Sequence, residues 1–529
     1  MLGYHEYDEE MDDASREAED ARIAQLSEYV AKAAAFDPDT LTADEKVTRD
    51  VMIFEAGTRA DLLEMRAAEL EVNHAMGLQA MLPVLFPQLP IDEPEHAEAM
   101  LVKYPKFATM FDQMTDRLRS GVANGRTPMA STVEKTIAQL DALIGVPPEE
   151  SVFLAVRTPA AYSEEQTAAW KGELARIVGE TVKPAIKRHR DYIAEHVLPA
   201  SRSEDEPGIC HLEGGDEWYR RAIKRHTSVD MTADEIHEIG LEQIRKLDEE
   251  YKELGAEVLG TSDLKEIYAH LRDDPELHFE TGEEVRAAAE TALAKAKATM
   301  GDWFGRLPKA DCFVQETPSG PTAFYFPPAT DGSRPGNFFV NTSDPKSWGR
   351  YEIEALAFHE GIPGHHLQLA ISGELTDVPE FRKHAGVTAY AEGWGLYTER
   401  LADEMGMYGG SLERIGMLSA DSMRAGRLVV DTGIHAKGWT RQQAIDFMAD
   451  NSPMHVEGTI APEIDRYIGM PGQALAYMIG RLEIMRMRRE AEEKMGDRFD
   501  IKGFHDTVLC SGLVPLGTLD RMIKEWAAA

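Results

Sequence analysis

Apolar positions recur at spacings of three and four over about the first 200 residues, which is the periodicity of helices that bury one face. Helix starts are marked by the capping box, in which a Ser or Thr and a Glu or Gln three residues later satisfy each other's free backbone amides. The pattern occurs at Thr42, Ser163, Thr232, Thr281 and Thr440. One match is weak evidence, but the agreement of all of them with the apolar periodicity downstream predicts a mainly α protein.

One region interrupts the helical periodicity. Aromatic and β-branched residues fill segments 323–328 and 337–342, and segment 331–336, which contains Gly and Pro, separates them. Such runs around a Gly/Pro turn predict a β-hairpin. No internal repeat of solenoid length is present. The predicted architecture is therefore a large helical fold with a small hairpin or sheet and a deep central cleft.

The polar segment 201–208 is the clearest linker in the chain. It divides the sequence into an N-terminal helical region, residues 1–205, and a C-terminal region, residues 206–529, that contains the candidate chemistry. We expect the cleft to lie between these two regions and to admit a short substrate.

Composition and charge exclude several classes of function. The 529 residues are 43% hydrophobic, enough for a large core, and 93 acidic residues against 56 basic ones give a net charge of −37. Nucleic-acid partners are excluded because they require a basic footprint. The three scattered cysteines, Cys210, Cys312 and Cys510, predict neither a disulfide framework nor a cysteine metal site. No secretory signal or long apolar run is evident, so we expect a cytoplasmic protein without a membrane partner.

The dipeptide His-Glu occurs three times, but only His359-Glu360 is followed within seven residues by another histidine, in the pair His365-His366. In zinc peptidase helices, two ligand histidines stand four residues apart, and the glutamate after the first is the general base. Here the spacing is six or seven. In an unbroken helix, His366 would lie on the correct face but about 10 Å away, too far for one ion to bridge.

A break in the helix resolves this mismatch. Pro363 removes an amide donor and Gly364 frees the backbone, so we expect a kink that absorbs the extra residues. His365 is then the preferred second metal ligand after His359. His366 is the alternative ligand, and otherwise it would face the pocket wall or contact substrate.

A third ligand is expected from the helix predicted around residues 387–401. Glu392 is preferred because Ala391 and Gly393 leave room for close approach, while Glu399 is suited to supporting a ligand from behind. Two imidazoles and a carboxylate around one divalent ion leave a position for water, whose pKa can then fall near 7. Glu360 would take the proton of that water and later pass one to the leaving group. We expect Zn²⁺, although other divalent metals are possible.

These residues resemble the bacterial family called domain of unknown function 885, whose hallmark is His-Glu-x-x-Pro-Gly-His with a later Glu-Gly-Trp. Segments 433–439, 463–467, 471–477 and 480–482 resemble its C-terminal motifs. The resemblance covers about residues 210–520. It implies a mostly helical, gluzincin-like metallohydrolase related to zinc carboxypeptidases, and it leaves the substrate open.

The same resemblance suggests pocket residues. Arg466, Tyr467 and Tyr477 become candidates for the pocket wall. A tyrosine hydroxyl or His435 could stabilise an oxyanion, where one donor commonly lowers the barrier by about 3 kcal/mol. Arg466 or Arg481 could hold a substrate carboxylate through paired hydrogen bonds. The hairpin could present an edge to an extended peptide.

The leading functional hypothesis is a zinc-dependent peptidase of the carboxypeptidase or oligopeptidase type, acting on short peptides with Glu360 as general base. One alternative is a metal-dependent hydrolase or lyase of a small non-peptide amide, because the same ion and base would serve. Another is a peptide-binding protein without turnover. A homodimer is left open.

Overall fold

The computed structural model describes residues 5–89, 91–318, 321–329, 332 and 334–529. Helices dominate these residues and one small sheet accompanies them, so the predicted fold class is confirmed. Each predicted capping residue directly precedes a helix. Reciprocal capping bonds form at Ser163, Thr232 and Thr440, and Thr42 pairs in the same way with its glutamate. Thr281 also caps its helix, by accepting a hydrogen bond from the amide of Glu284.

The chain divides into two units. One comprises the part up to Gln25 together with Leu62–Gly215, and the other comprises Leu26–Asp61 and Asp216–Ala529. This division differs from the predicted one at residue 205 in its boundary and in the assignment of segment 26–61. The physical reason is burial, since Val47, Val51 and Phe54 belong to the hydrophobic core of the second unit. The periodicity shows that this segment is helical but not which core it joins.

The first unit contains a cluster of four packed aromatic side chains. Phe86, Tyr104, Phe107 and Phe153 have ring centroids 5.2–6.2 Å apart, and the Tyr104 hydroxyl donates to the Phe153 carbonyl at 2.6 Å.

The helices before residue 200 are α1 (Arg16–Ala34), α2 (Ala43–Glu64), α3 (Leu78–Leu85), α4 (Pro94–Lys103), α5 (Lys106–Ala123), α6 (Ala130–Gly145), α7 (Glu164–Ile177) and α8 (Lys183–Tyr192).

The rest of the chain contains the longest helices and the sheet. Its strands are β1 (Cys312–Thr317), β2 (Ala323–Phe326) and β3 (Gly336–Asn341). Its helices are α9 (Gly215–Thr227), α10 (Ala233–Val258), α11 (Leu264–Asp273), α12 (Gly282–Trp303), α13 (Ile353–Glu360), α14 (His365–Gly373), α15 (Glu380–Lys383), α16 (Thr388–Glu404), α17 (Ser411–Ala436), α18 (Arg441–Asp450), α19 (Ala461–Gly469), α20 (Ala476–Met495), α21 (Ile501–Leu509) and α22 (Leu516–Trp526).

The sheet has the strand order β1-β3-β2. Strands β2 and β3 pair antiparallel, with Ala323 opposite Val340, so the predicted hairpin pairing is present. Asp331 and Ser333 of the predicted turn lie outside the described residues, as does Thr330 just before it. Strand β1 pairs parallel with β3 and was not predicted, because its half-buried and exposed residues give only a weak alternation.

Helices α16 and α20 cross very closely where two glycines meet. A Cβ atom on Gly393 would lie 2.5 Å from the backbone of Gly480, and one on Gly480 would lie 2.0 Å from the carbonyl oxygen of Ala389. Both distances are far below a van der Waals contact, so side chains are excluded at this crossing. Helix α16 is thereby held at a fixed position in the second unit.

Candidate metal centre

The helix that carries His359 is interrupted before His365, as the sequence predicts. Helix α13 ends at Glu360, Gly361 donates to the Ala357 carbonyl, and α14 starts at His365. Residues Pro363 and Gly364 occupy the connection. A Cβ atom on Gly364 would stand 1.8 Å from the carbonyl oxygen of His359, so only glycine permits this tight path.

Helix α16 stabilises the interruption from the side. The indole Nε1 of Trp394 donates to the carbonyl of Pro363 at 3.0 Å, and the Thr398 hydroxyl donates to the carbonyl of Phe358 at 3.1 Å. Both carbonyls belong to the end of α13 or to the connection, where helical partners are missing. A Cβ on Gly395 would lie 2.8 Å from the His359 ring. Gly395 therefore provides the close approach to His359, whereas the predicted Gly393 faces α20.

The structure brings the side chains of His359, His365 and Glu392 together. Oε2 of Glu392 lies 3.6 Å from Nε2 of His359 and 3.2 Å from Nε2 of His365, and one donor atom from each residue lies within 4.8 Å of the others. Ligand atoms of a tetrahedral zinc ion, at bond lengths near 2.1 Å, stand about 3.4 Å apart. The donor atoms and their spacing therefore fit a zinc ion.

Glu399 orients the ring of His359 through a hydrogen bond. Its Oε1 atom accepts a 2.8 Å hydrogen bond from Nδ1 of His359, and its side chain is only 1% exposed. A carboxylate can only accept this bond, so Nδ1 carries a proton, and when the imidazole is neutral its lone pair is on Nε2, the nitrogen that faces Glu392. This is the orientation that a metal ligand requires, and the position matches the supporting role expected for Glu399.

The charges at the candidate centre favour a cation. Burial opposes protonation of His359, but its bonds to Glu392 and Glu399 outweigh burial and raise the pKa of His359 to about 9. Burial also disfavours the charged form of Glu392, but the two histidines hold the pKa of its carboxyl well below the usual range. A positive charge is therefore favoured among these groups, whether it is a proton or a metal ion.

Glu360 and His366 lie on either side of the connection. Glu360 is the last residue of α13, directly after His359, and is half-buried. The His366 ring donates from Nε2 to the Ala310 carbonyl at 3.0 Å and accepts at Nδ1 from the Tyr325 hydroxyl at 2.9 Å. Burial lowers the pKa of His366 to about 4. Both nitrogens of His366 are therefore occupied, and it is His365 that reaches Glu392.

Tyr477 is the predicted pocket residue that lies against the candidate ligands. Its ring centroid is 6.4 Å from that of His359, with 22° between the two planes. Burial and the nearby Glu392 raise the pKa of Tyr477, so its hydroxyl keeps its proton. Arg466 pairs with Glu463 at 3.0 Å, donates to Gln473 at 2.7 Å and lies over the ring of Tyr467, with its guanidinium carbon 5.0 Å from the ring centre.

Three other predicted residues are buried in packing contacts. Tyr467 donates from its hydroxyl to Glu463 at 2.7 Å, and its carbonyl accepts a 3.0 Å bond from Nε2 of His435. His435 is fully buried. Arg481 is 4% exposed, forms an ion pair with Asp421 and donates from Nη2 to the sulfur of Met478 at 2.9 Å. These contacts commit His435 and Arg481 to the interior and do not direct them at the candidate ligands.

Comparison with known proteins places the chain in a family. A family model described as "Bacterial protein of unknown function (DUF885)" matches residues 1–523. The chain belongs to the DUF885 family. A comparison with curated proteins gives no match.

Solved structures share this DUF885 fold. A protein of Colwellia psychrerythraea, provisionally named a lipoprotein, is 28% identical with a TM-score of 0.90, over 99% of this chain and 93% of its own. A second protein, from Shewanella oneidensis, is provisionally named a lipoprotein of unknown function. It is 19% identical with a TM-score of 0.74, over 99% and 95% of the two chains. A provisionally named oligoendopeptidase F from Bacillus anthracis aligns with 11% identity and a TM-score of only 0.31, over 96% and 95% of the two chains, and supports no inference.

The expected cytoplasmic location of this DUF885 protein is wrong. Both similar structures carry the name lipoprotein, which denotes attachment to membrane lipid. Within the described part of the chain, none of the helices combines the length and apolar character needed to cross a bilayer. Attachment through lipid needs no such helix, so the lack of a long apolar run in the sequence does not indicate where the protein is located.

Sequence motifs did not reveal one set of charged residues in this DUF885 chain. Helix α17 buries Asp421, Arg427 and Asp431, and Arg424 lies on the same helix near Glu399, with its Nη2 3.8 Å from that carboxylate. The signal was available, since charges at intervals of three or four in an otherwise apolar helix point to one face. Of these residues, Arg424 approaches Glu399 and Arg427 contacts the Tyr477 ring, and both of those partners contact His359.

Proposed function

We propose that the protein is a metal-dependent peptidase of the carboxypeptidase or oligopeptidase type, with Zn²⁺ held by His359, His365 and Glu392. The observation that carries the proposal is the convergence of these three side chains directly beside Glu360. Burial of such polar groups is costly, and a metal ion shared by the two histidines and the carboxylate would offset this cost.

Each residue has a definite task in this proposal. When bound, zinc would supply Lewis-acid polarisation of a carbonyl and a lowered pKa for water. Glu360 accepts the proton of the attacking water and returns it to the leaving amine. The protonated hydroxyl of Tyr477 donates to the oxyanion that forms on the substrate carbonyl. Glu399 keeps the Nε2 lone pair of His359 directed at the centre.

Metal content and one variant test the proposal. The purified chain should contain about one zinc ion, and Glu360→Gln should retain it while losing hydrolysis by at least a hundredfold, which is the usual effect of removing a general base. Glu374→Gln is a matched control, because this half-buried glutamate accepts hydrogen bonds from the backbone amides of Lys309 and Ala310 through one oxygen atom, which glutamine keeps. It should retain both zinc and activity.

A peptide library incubated with the zinc-replete protein and analysed by mass spectrometry identifies the reaction. Shortened peptides that are absent in the Glu360→Gln sample would support a peptidase. Intact peptides in the presence of zinc would contradict it and would favour a small non-peptide amide as substrate. Unchanged peptide binding with no turnover in either protein would favour a binding protein.

A further inference from the structure

Arg427 and the candidate metal ligand His359 both contact the aromatic ring of Tyr477. It is 5% exposed, and its Nε and Nη2 atoms donate to the Tyr467 hydroxyl and to Glu463, each at 2.7 Å. Its guanidinium carbon stands 4.5 Å from the centre of the Tyr477 ring. The same ring packs against His359. Tyr477 therefore connects the guanidinium of Arg427 to the candidate centre.

Part of this guanidinium has no hydrogen-bond partner. Arginine carries five N–H groups, and the described residues offer no acceptor to Nη1 of Arg427. A buried donor without an acceptor is costly, and such groups are uncommon unless a ligand satisfies them. The Tyr477 face provides a cation–π contact but no oxygen acceptor. Nη1 is thus a buried donor, and an oxygen atom of a bound molecule would supply the acceptor that it lacks.

The charges around Arg427 leave a positive surplus. Glu463 is shared between Arg427 and Arg466, so one carboxylate faces two guanidinium groups. Asp431 is nearby, but burial raises its pKa to about 7, and it already accepts hydrogen bonds from Tyr219 and Gly472. Glu463 and Arg466 are 24% and 18% exposed, so the cluster reaches solvent. In a chain with a net charge of −37, such a local surplus favours an anionic ligand.

We infer that Arg427, together with Arg466, forms a subsite for the C-terminal carboxylate of a peptide substrate, so that the enzyme is a carboxypeptidase. This inference rests on the proposed peptidase function. One residue advances the chain by about 3.8 Å, so the terminal carboxylate of a bound peptide lies one residue beyond the carbonyl that is attacked. The His359 ring and the guanidinium carbon of Arg427 lie 6.4 and 4.5 Å from the centre of the same Tyr477 ring, so a peptide whose attacked carbonyl lies at His359 would extend along this ring towards Arg427. An acidic side chain could present the same carboxylate from another point of the peptide.

Peptide binding separates these sources without requiring turnover. Zinc-loaded Glu360→Gln protein is titrated calorimetrically with three tetrapeptides of alanine. The first has a free C-terminal carboxylate, the second has a C-terminal carboxamide, and the third has a carboxamide with aspartate as its last residue. We expect the first to bind at least tenfold more tightly than the second, and Arg427→Gln to abolish this preference while changing the carboxamide affinity less than twofold.

Two further variants control for structure. Arg414 lies on the same helix, is 42% exposed and pairs with Asp403, so Arg414→Gln should keep the full preference. Arg427→Lys keeps the charge but loses the planar fork, and should retain only part of the preference. Zinc content and circular dichroism identify any variant that fails to fold, and in that case the Lys variant and the wild-type preference decide the question.

The possible outcomes are distinct. Equal affinity for the first two peptides, or no binding of any peptide, would overturn the inference. A preference for the aspartate peptide alone would assign the subsite to an acidic side chain and would also overturn it. A clear preference for the free carboxylate, with no cleavage by the wild-type protein, would reject the proposed peptidase function and leave the subsite intact. Cleavage by the wild-type protein without a carboxylate preference would support the proposed peptidase function and overturn the inferred subsite.

Discussion

Nδ1 of His359 donates a 2.8 Å hydrogen bond to Oε1 of Glu399, and both side chains are almost completely buried. This bond fixes the tautomer of a candidate metal ligand and the direction of its free lone pair. It links α13, on which His359 lies, to α16, which also carries Glu392. One helix therefore supplies both a candidate ligand and the group that orients another.

The first prediction concerns this hydrogen bond. Glu399→Gln should weaken zinc affinity about 10–100-fold, because the amide keeps an acceptor but loses the negative charge that makes the imidazole a better ligand. Zinc affinity is measured by competition with a chromophoric chelator. Glu404→Gln, on the same helix and 41% exposed, is the matched control and should leave affinity unchanged. Equal affinities for all three proteins would show that Glu399 does not tune the centre.

The second prediction concerns the close approach at Gly395. A Cβ atom there would lie 2.8 Å from the His359 ring, so Gly395→Ala must shift the ring or α16. We expect a loss of about 1–3 kcal/mol in the free energy of unfolding, together with weaker zinc binding. Gly172→Ala is the control, since its Cβ would have open space inside a helix and should stabilise the protein by up to about 1 kcal/mol. Urea unfolding measures both, and a neutral Gly395→Ala would contradict the close packing.

The third prediction concerns Tyr477. If its hydroxyl donates to an oxyanion, Tyr477→Phe should lower kcat about 100-fold with little change in KM, because the bond strengthens only in the transition state. Steady-state kinetics on a cleaved peptide measure this, and zinc content should not change. Tyr192→Phe, remote in sequence and only half-buried, serves as the control. A rise in KM alone would instead indicate a role in substrate binding.

The fourth prediction concerns Asp431, which is fully buried and accepts hydrogen bonds from the Tyr219 hydroxyl at 2.5 Å and the Gly472 amide at 3.0 Å. Burial raises its pKa to about 7, above the unfolded value of about 3.9. Between these pH values the folded state binds a proton that the unfolded state has lost. Stability should therefore fall as pH rises through this window, by up to about 1.4 kcal/mol per pH unit, and level off above it.

Asp431→Asn should remove this component of the pH dependence, because the amide oxygen still accepts both hydrogen bonds but does not ionise. Urea unfolding of both proteins at pH 5, 6, 7 and 8 measures the difference. The stability of the variant relative to the wild type should increase with pH. Parallel profiles for the two proteins would mean that Asp431 does not titrate in this range.

Local signals accounted for the helical class, since a capping box depends on residues only three positions apart. Thr232 and Thr440 show this, because each forms its cap without help from distant segments. The interruption at Pro363 and Gly364 was predicted for the same reason. The choice of Gly393 as the point of close approach was not correct, because the face that each glycine of α16 presents depends on how α16 is rotated against α13 and α20.

The sequence by itself determined the helical class, the hairpin pairing and the break between His359 and His365, because each of these depends on neighbours within a few positions. Only the tertiary structure decided that His365 rather than His366 faces Glu392, that segment 26–61 joins the second unit, and that Arg427 reaches Tyr477. These relationships join residues far apart in the chain. They are fixed by which buried faces pack together, and no local pattern records that choice.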